Sequence, residues 1–341
     1  MIFNIYHLAL YLVFVFFLQT YIILCKIQPR LKYLKNPNFV NNSEFFMFSR
    51  NDASAWKYSN IIMGAVLLAP IRIIIFIVLL ISCYLIVKLI ILLESPNINL
   101  NTSGLTRAVI RFYNRLVLII FGFYKINKTI KIFPANVKTC TRNNSCNTSL
   151  IISNHISFVD IFYFLATEKN VCFVAKAETL KIPIIGLLSK IIGCIFVDRT
   201  DPESRKHVIS EIQNRFKNGI ESKIVFFPEG TTTNGKAILP FKRGVFLSRL
   251  PFKLVGLSYL SKGVSPAFTS INMLIEIFGL FCNFQNKINV TEFEDAFRPV
   301  NNIDLEILSK EIQNTLADEL KVSVTSHTFE SKIIFKKQFM T

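Results

Sequence analysis

The chain has 341 residues, 51% of them hydrophobic and 33 of them phenylalanine, and only 18% are charged. That length buries a core easily as one large domain or two ordinary ones, and the charged fraction, well below the roughly 25% of soluble domains, excludes an ordinary soluble composition in favour of membrane association with a globular part. The net charge of +17 suits anionic lipid headgroups, nucleic acid or anionic cofactors, although a bias toward Lys, Ile, Asn and Phe along the whole chain accounts for part of it.

Residues 1–100 read as an N-terminal membrane region with apolar segments at 2–25 and 61–93. The first has about the ~20 residues a crossing needs, with no basic residue before it and no small-residue cleavage site after it, unlike a signal peptide. Lys26, Arg30, Lys32 and Lys35 follow directly, which places its C-terminal end in the cytosol. The second run is too long for one straight crossing of a core about 30 Å thick, and Pro70 and Arg72 interrupt it. Two arrangements fit: a short entry piece before a span from about residue 73, or a re-entrant hairpin bent at the proline with both ends cytosolic. Basic residues on both flanks lean toward the hairpin.

Residues 101–130 read as an amphipathic membrane-proximal helix over about 105–126. Arg107, Arg111 and Arg115 recur at spacing four with apolar residues between them. A membrane surface or the next domain would each suit that face. Residues 131–300 alternate between strand patterns at 150–153, 172–175, 194–197, 224–227 and 254–259 and helical ones at 158–167, 180–192, 203–217 and 244–249. This predicts an α/β class with a largely parallel sheet flanked by helices. Ligands of such sheets sit at the carboxyl ends of the strands, where Asn154-His155, Lys176, Asp198-Arg199 and Pro228-Glu229-Gly230 fall. Residues 301–341 hold a last amphipathic helix, striped by Leu305, Leu308, Ile312, Leu316 and Leu320, and a tail. The seven cysteines read as small buried hydrophobes and reduced thiols; Cys140 and Cys146 are close enough to pair, but no zinc spacing accompanies them.

His155, at a strand end with Asp160 five positions on, is a candidate general base. Within one helix the two would point about 140° apart, so they meet only if His155 lies in the loop and the helix starts at Ser157. Ser157 to Asp160 also fits a capping box, so Asp160 is either a helix cap, a partner that orients His155, or both. Gly230 to Lys236 matches G-x-x-x-x-G-K, but Ala237 replaces the magnesium-binding Ser or Thr and Pro240 falls where the helix should run, so a membrane-bound ATPase is a poor reading. No nucleophile motif is present. A base without its own nucleophile fits direct attack by a substrate hydroxyl on an activated acyl donor such as a thioester.

Asn154-His155 with Asp160, Phe196-Val197-Asp198-Arg199, Phe227-Pro228-Glu229-Gly230-Thr231 and Leu239-Pro240-Phe241-Lys242 resemble, in order and spacing, the four motifs of the glycerolipid acyltransferases. Phe173-Val174-Ala175-Lys176 and Leu68-Ala69-Pro70-Ile71-Arg72 extend the resemblance, and Thr231 to Gly235 is most similar to the lysophosphatidylcholine and lysophosphatidylethanolamine branch. Arg243 and Val245 depart from the usual pattern beside the last motif. The resemblance implies a glycerol-3-phosphate acyltransferase-like fold and His155 as base with Asp160 orienting it. It implies substrate contacts from Asn154, Lys176, Arg199, Glu229, Gly230, Thr231 and Lys242, with Lys176 and Arg199 on phosphate. It further implies acyl-CoA as co-substrate, a lysophospholipid acceptor, no metal, no tightly bound cofactor, no nucleic-acid partner, and an integral membrane protein of the endoplasmic reticulum facing the cytosol. Lysophosphatidate or glycerol-3-phosphate acylation and a non-catalytic lipid-binding protein are the other expectations.

Overall fold

The computed structural model describes residues 44–50, 58–93, 103–143, 150–198, 201–219, 222–269 and 272–339, with scattered positions between 6 and 21. Most of the 2–25 segment, Cys146 and Arg199 lie outside the described residues.

The domain is built on a sheet whose main path runs β1 (Lys125–Lys131), β9 (Asn286–Phe293), β8 (Phe252–Ser261), β3 (Leu150–Ser153), β6 (Lys223–Phe226), β4 (Val171–Lys176), β5 (Ile195–Val197). From β8 through β5 every pairing on that path is parallel, whereas β9 runs antiparallel to β8 and parallel to β1. A short strand β10 (Ala296–Pro299) joins β8 to β2 (Cys140–Asn143). Central β3 is buried at all four positions, the unbroken apolar run of a strand covered on both faces. The largely parallel α/β class expected from the sequence is the class observed.

Helices α4 (Val159–Thr167), α5 (Ile185–Ile191), α6 (Pro202–Lys217) and α8 (Leu305–Leu320) belong to the domain, α6 starting on Asp201, whose carboxylate accepts from the Glu203 and Ser204 amides. Several boundaries differ from the sequence expectation. The helix expected over 105–126 is α3 (Gly104–Ile120); Gly122, at φ +85°, turns the chain and residues 125–131 become edge strand β1 instead. The helix expected over 180–192 divides into a 3₁₀ turn, Ala177–Lys181, and α5, because Pro183 donates no amide hydrogen and disfavours helix before it. The 244–249 segment is a 3₁₀ turn, Arg243–Ser248. Helix α7 (Met273–Cys282) and a C-terminal helix α9 (Phe329–Phe339) arise where the sequence pattern gave no helix.

The second apolar run forms two helices, α1 (Tyr58–Leu67) and α2 (Ala69–Leu93). Helix α2 is apolar and long enough to cross a membrane, with an 18-residue window of mean hydropathy 3.0. Its base is fixed to the domain by Arg72, which donates to the carbonyls of Phe281, at 3.0 Å, and of Asn283, and to the Tyr124 hydroxyl at 2.8 Å. The arginine that interrupts the apolar pattern thus satisfies carbonyls at the end of α7 that would otherwise be buried unpaired. Gly64 lets α1 lie directly on that same end: a Cβ there would fall 1.9 Å from the Cys282 carbonyl oxygen.

Candidate active site

At the carboxyl end of β3 the chain leaves the sheet as Asn154-His155-Ile156-Ser157-Phe158 and enters α4. Asp160, in the first helical turn, is fully buried. Its Oδ2 accepts from the Ile156 amide at 2.8 Å, the Ser157 amide at 3.0 Å and His155 Nδ1 at 2.8 Å, and its Oδ1 accepts from the Tyr259 hydroxyl. Backbone amides can only donate, and the two that meet Oδ2 at the positive end of the helix mark it as an acceptor, so Nδ1 carries the imidazole hydrogen. The two readings of Asp160 therefore coexist: the return bond of a capping box is present, and the same oxygen orients the histidine. The Ser157 half of the box differs, since its Oγ accepts from the Val159 amide at 3.1 Å.

The imidazole stacks on Phe227, with ring centroids 4.1 Å apart and planes 16° from parallel. Its backbone is held from both sides: the His155 amide donates to Glu229 Oε1 at 2.7 Å, and its carbonyl accepts from the Thr233 amide at 3.0 Å. With the ring fixed at Nδ1 and on one face, Nε2 is the edge left for a substrate, and the side chain is 19% exposed.

Glu229 lies under this turn. Besides the His155 amide it accepts from the Leu239 amide at 3.0 Å, so both oxygens tie protein segments together. Burial pushes its pKa up to about 8, against the pull of those two amides. Asn154 is similarly engaged: its amide group accepts from the Leu257 amide at 2.8 Å and donates to the Leu257 carbonyl at 2.9 Å, extending the pairing of β3 with β8. Both were expected to contact substrate; the structure places their polar atoms on the backbone, where they hold the His155 loop.

Lys176 and Lys242 are exposed at the same edge of the sheet. Lys242 folds over Gly230, whose φ of +69° and missing side chain allow it: a Cβ would lie 3.0 Å from the Lys242 Nζ. Thr231 is half-buried in the adjoining turn. The G-x-x-x-x-G-K run does not launch a helix; it passes into a two-residue strand β7 (Ala237–Ile238), which pairs with β11 (Ser323–Val324).

Two contributors escaped the sequence reading. Tyr259, near the end of β8, was seen only as part of a strand; burial raises its pKa well above the ordinary value, so it is a permanent donor to Asp160. Lys332, from α9, is buried and donates to the Thr232 carbonyl at 2.6 Å and Oγ1 at 2.8 Å and the Phe268 carbonyl at 3.3 Å. Burial drives its pKa down to about 7. Thiol chemistry is disfavoured, since burial pushes Cys172 up to about 11 and Cys140, Cys194 and Cys282 up to about 12.

The site thus holds an imidazole bonded to a buried carboxylate at the carboxyl edge of the parallel sheet, and among the described residues no acidic thiol stands beside it. Residues 135–252 match the family described as Acyltransferase. It is 32% identical over 211 residues to the lysophospholipid acyltransferase LPEAT1 of Arabidopsis thaliana, covering 55% of this chain and 53% of that protein. It is 33% identical over 186 residues to lysophosphatidylcholine acyltransferase 1 of Homo sapiens, covering 53% of this chain and 34% of that one. The chain thus spans about half the length, or less, of these curated relatives. A solved structure of the 1-acyl-sn-glycerophosphate acyltransferase PlsC from Thermotoga maritima aligns over 73% of this chain and 96% of its own, at 16% identity and a TM-score of 0.47.

Proposed function

We propose that this protein transfers a fatty acyl chain from acyl-CoA to the free hydroxyl of a lysophospholipid, with His155 as general base. The observation that carries this reading is the donation of His155 Nδ1–H to a carboxylate already saturated with donors, which leaves Nε2 as the acceptor. The acceptor hydroxyl gives its proton to Nε2 as its oxygen attacks the thioester carbonyl. The carbon–sulfur bond breaks, CoA leaves as a thiolate, and the imidazolium returns its proton to that thiolate or to solvent. Asp160 stabilises the imidazolium throughout, and Tyr259 keeps the carboxylate aimed.

Lys176 and Lys242 stand at the sheet edge where a phosphate of the lipid or of CoA would lie, and Arg199, outside the described residues, comes two residues after β5 in the sequence and would share that role. The lysophosphatidylcholine and lysophosphatidylethanolamine acceptors are favoured by the Thr231–Asn234 sequence and by the names of the relatives. An endoplasmic-reticulum membrane with the domain on its cytosolic side is the location this reading implies.

Purified protein offered acyl-CoA and lysophospholipid should release CoA, and His155→Ala should lower kcat by roughly 10²–10⁴-fold. CoA release by His155→Ala at the wild-type rate would remove the general-base assignment.

A further inference from the structure

Helix α9 lies beyond the matched segment 135–252, yet it packs on the catalytic edge. Phe329, Lys332 and Lys336 stand at i, i+3 and i+7, one face of the helix. That face is buried at Lys332, half-buried at Phe329 and open to solvent at Lys336. Lys176 Nζ sits 5.8 Å from the Phe329 ring centroid, and Lys332 is hydrogen-bonded to the Thr232 turn. Phe335, next to this face, is buried against Phe45 and Phe48.

Lys336 is the next cation along the face. Partial desolvation and the Lys176 ammonium hold its pKa below the ordinary lysine value, and Lys336 and Lys176 together act in the same direction on Lys332 beneath them. Neither Lys176 nor Lys336 makes an ion pair among the described residues. Of the nearby carboxyls, Glu229 is bonded to two backbone amides and faces Lys332, and Glu330 is bonded to Thr328, with its field falling on Lys242. Lys176 and Lys336, which have no ion pair of their own, repel one another, and the repulsion turns to gain when a multivalent anion enters between them.

We propose that Lys336 completes, with Lys176, a two-cation clamp for a phosphate group of the substrate, so that the C-terminal helix is part of the binding site. The clamp deepens the phosphate assignment made above and rests on it. The lipid acceptor and CoA both carry phosphate, and the chemistry of recognition is common to them. Lys332 is a positioning residue that fixes the Thr231–Thr233 turn on which the clamp stands.

Two measurements on the full chain test the clamp. In steady-state transfer, Lys336→Ala should raise the KM of one phosphate-bearing substrate about tenfold while kcat stays within about twofold, and Lys336→Arg should restore it. A change confined to the lysophospholipid KM identifies the lipid phosphate, and one confined to the acyl-CoA KM identifies CoA. Combined with Lys176→Ala, the loss should be smaller than the product of the single effects, because both cations hold one group. The second measurement needs no turnover: amine acetylation of Lys176 and Lys336, read by mass spectrometry, should slow with either glycerophosphocholine or CoA as the added probe. Unchanged labelling with both probes, or unchanged KM values in Lys336→Ala beside a raised one in Lys176→Ala, overturns the clamp. Protection without any acyl transfer by the wild-type protein supports the clamp and counts against the acyltransferase reading instead.

Discussion

Asp160 joins two elements that the sequence presents separately, a helix start and a histidine. Asp160→Asn places an amide donor among four donors: the Ile156 and Ser157 amides, His155 Nδ1 and the Tyr259 hydroxyl. The imidazole then adopts the other tautomer or turns away, and kcat should fall by roughly 10²–10⁴-fold with both KM values nearly unchanged. A kcat within threefold of wild type would show that Asp160 is only a cap. Glu229 carries a stability signature. Its folded pKa of about 8 lies above the ordinary 4.5, so its contribution to stability is fully present below pH 4.5 and is lost as pH rises through about 8. Glu229→Gln should remove that slope, seen as a variant-minus-wild-type difference in unfolding free energy that grows more favourable to the variant between those pH values; a constant difference would contradict the raised pKa. His155 and Asp160 were legible because their types and spacing admit one geometry. The backbone partners of Asn154 and Glu229 were not legible, because a polar residue at a strand end looks the same whether it faces a ligand or a neighbouring backbone. Only the partner atoms, Leu257 and Leu239, tell them apart.

At the scale of elements, the strands legible in the sequence are the central ones, where burial on both faces leaves an apolar run such as Leu150–Ser153. Edge strand β1, Lys-Ile-Asn-Lys-Thr-Ile-Lys, shows half its surface to water and reads as the end of the preceding helix. Helix α9 has charged residues on several faces and a weak apolar stripe, so periodicity could not reveal it, nor the reach of Lys332 into the site. The junction of α1 with α7 includes a close backbone approach at Gly64. Gly64→Val should separate the two helices and lower stability by an amount at the upper end of roughly 1–3 kcal/mol, measured by thermal unfolding in detergent. An unchanged Tm would show that the two helices do not pack backbone to backbone.

On the scale of the whole molecule, the catalytic domain is fastened to the base of a long apolar helix. Arg72 and Phe76 hold α2 against Phe121 and Phe281, and Phe121 in turn meets Phe158, three residues from His155. The distal part of α2 exposes Ile77, Ile81, Leu85, Leu89 and Leu92, a surface that water would penalise and a bilayer would accept. The 25 residues give roughly 38 Å at 1.5 Å per residue, enough to cross a core of about 30 Å with some tilt. Pro70 falls in the first turn of α2, where its missing amide costs nothing, so the helix runs unbroken beyond it. A short helix before a long one has the form of the first arrangement open from sequence, and whether α2 crosses the bilayer is what a labelling experiment tests. The geometry fixes what a labelling experiment should see. In intact membranes, Ile81→Cys should resist a water-soluble maleimide, whereas Ile307→Cys, on an exposed face of α8, should react. Adding detergent should narrow the gap between the two. Equal labelling of both before detergent would place α2 in water and leave the attachment of this domain to the lipid surface to other segments.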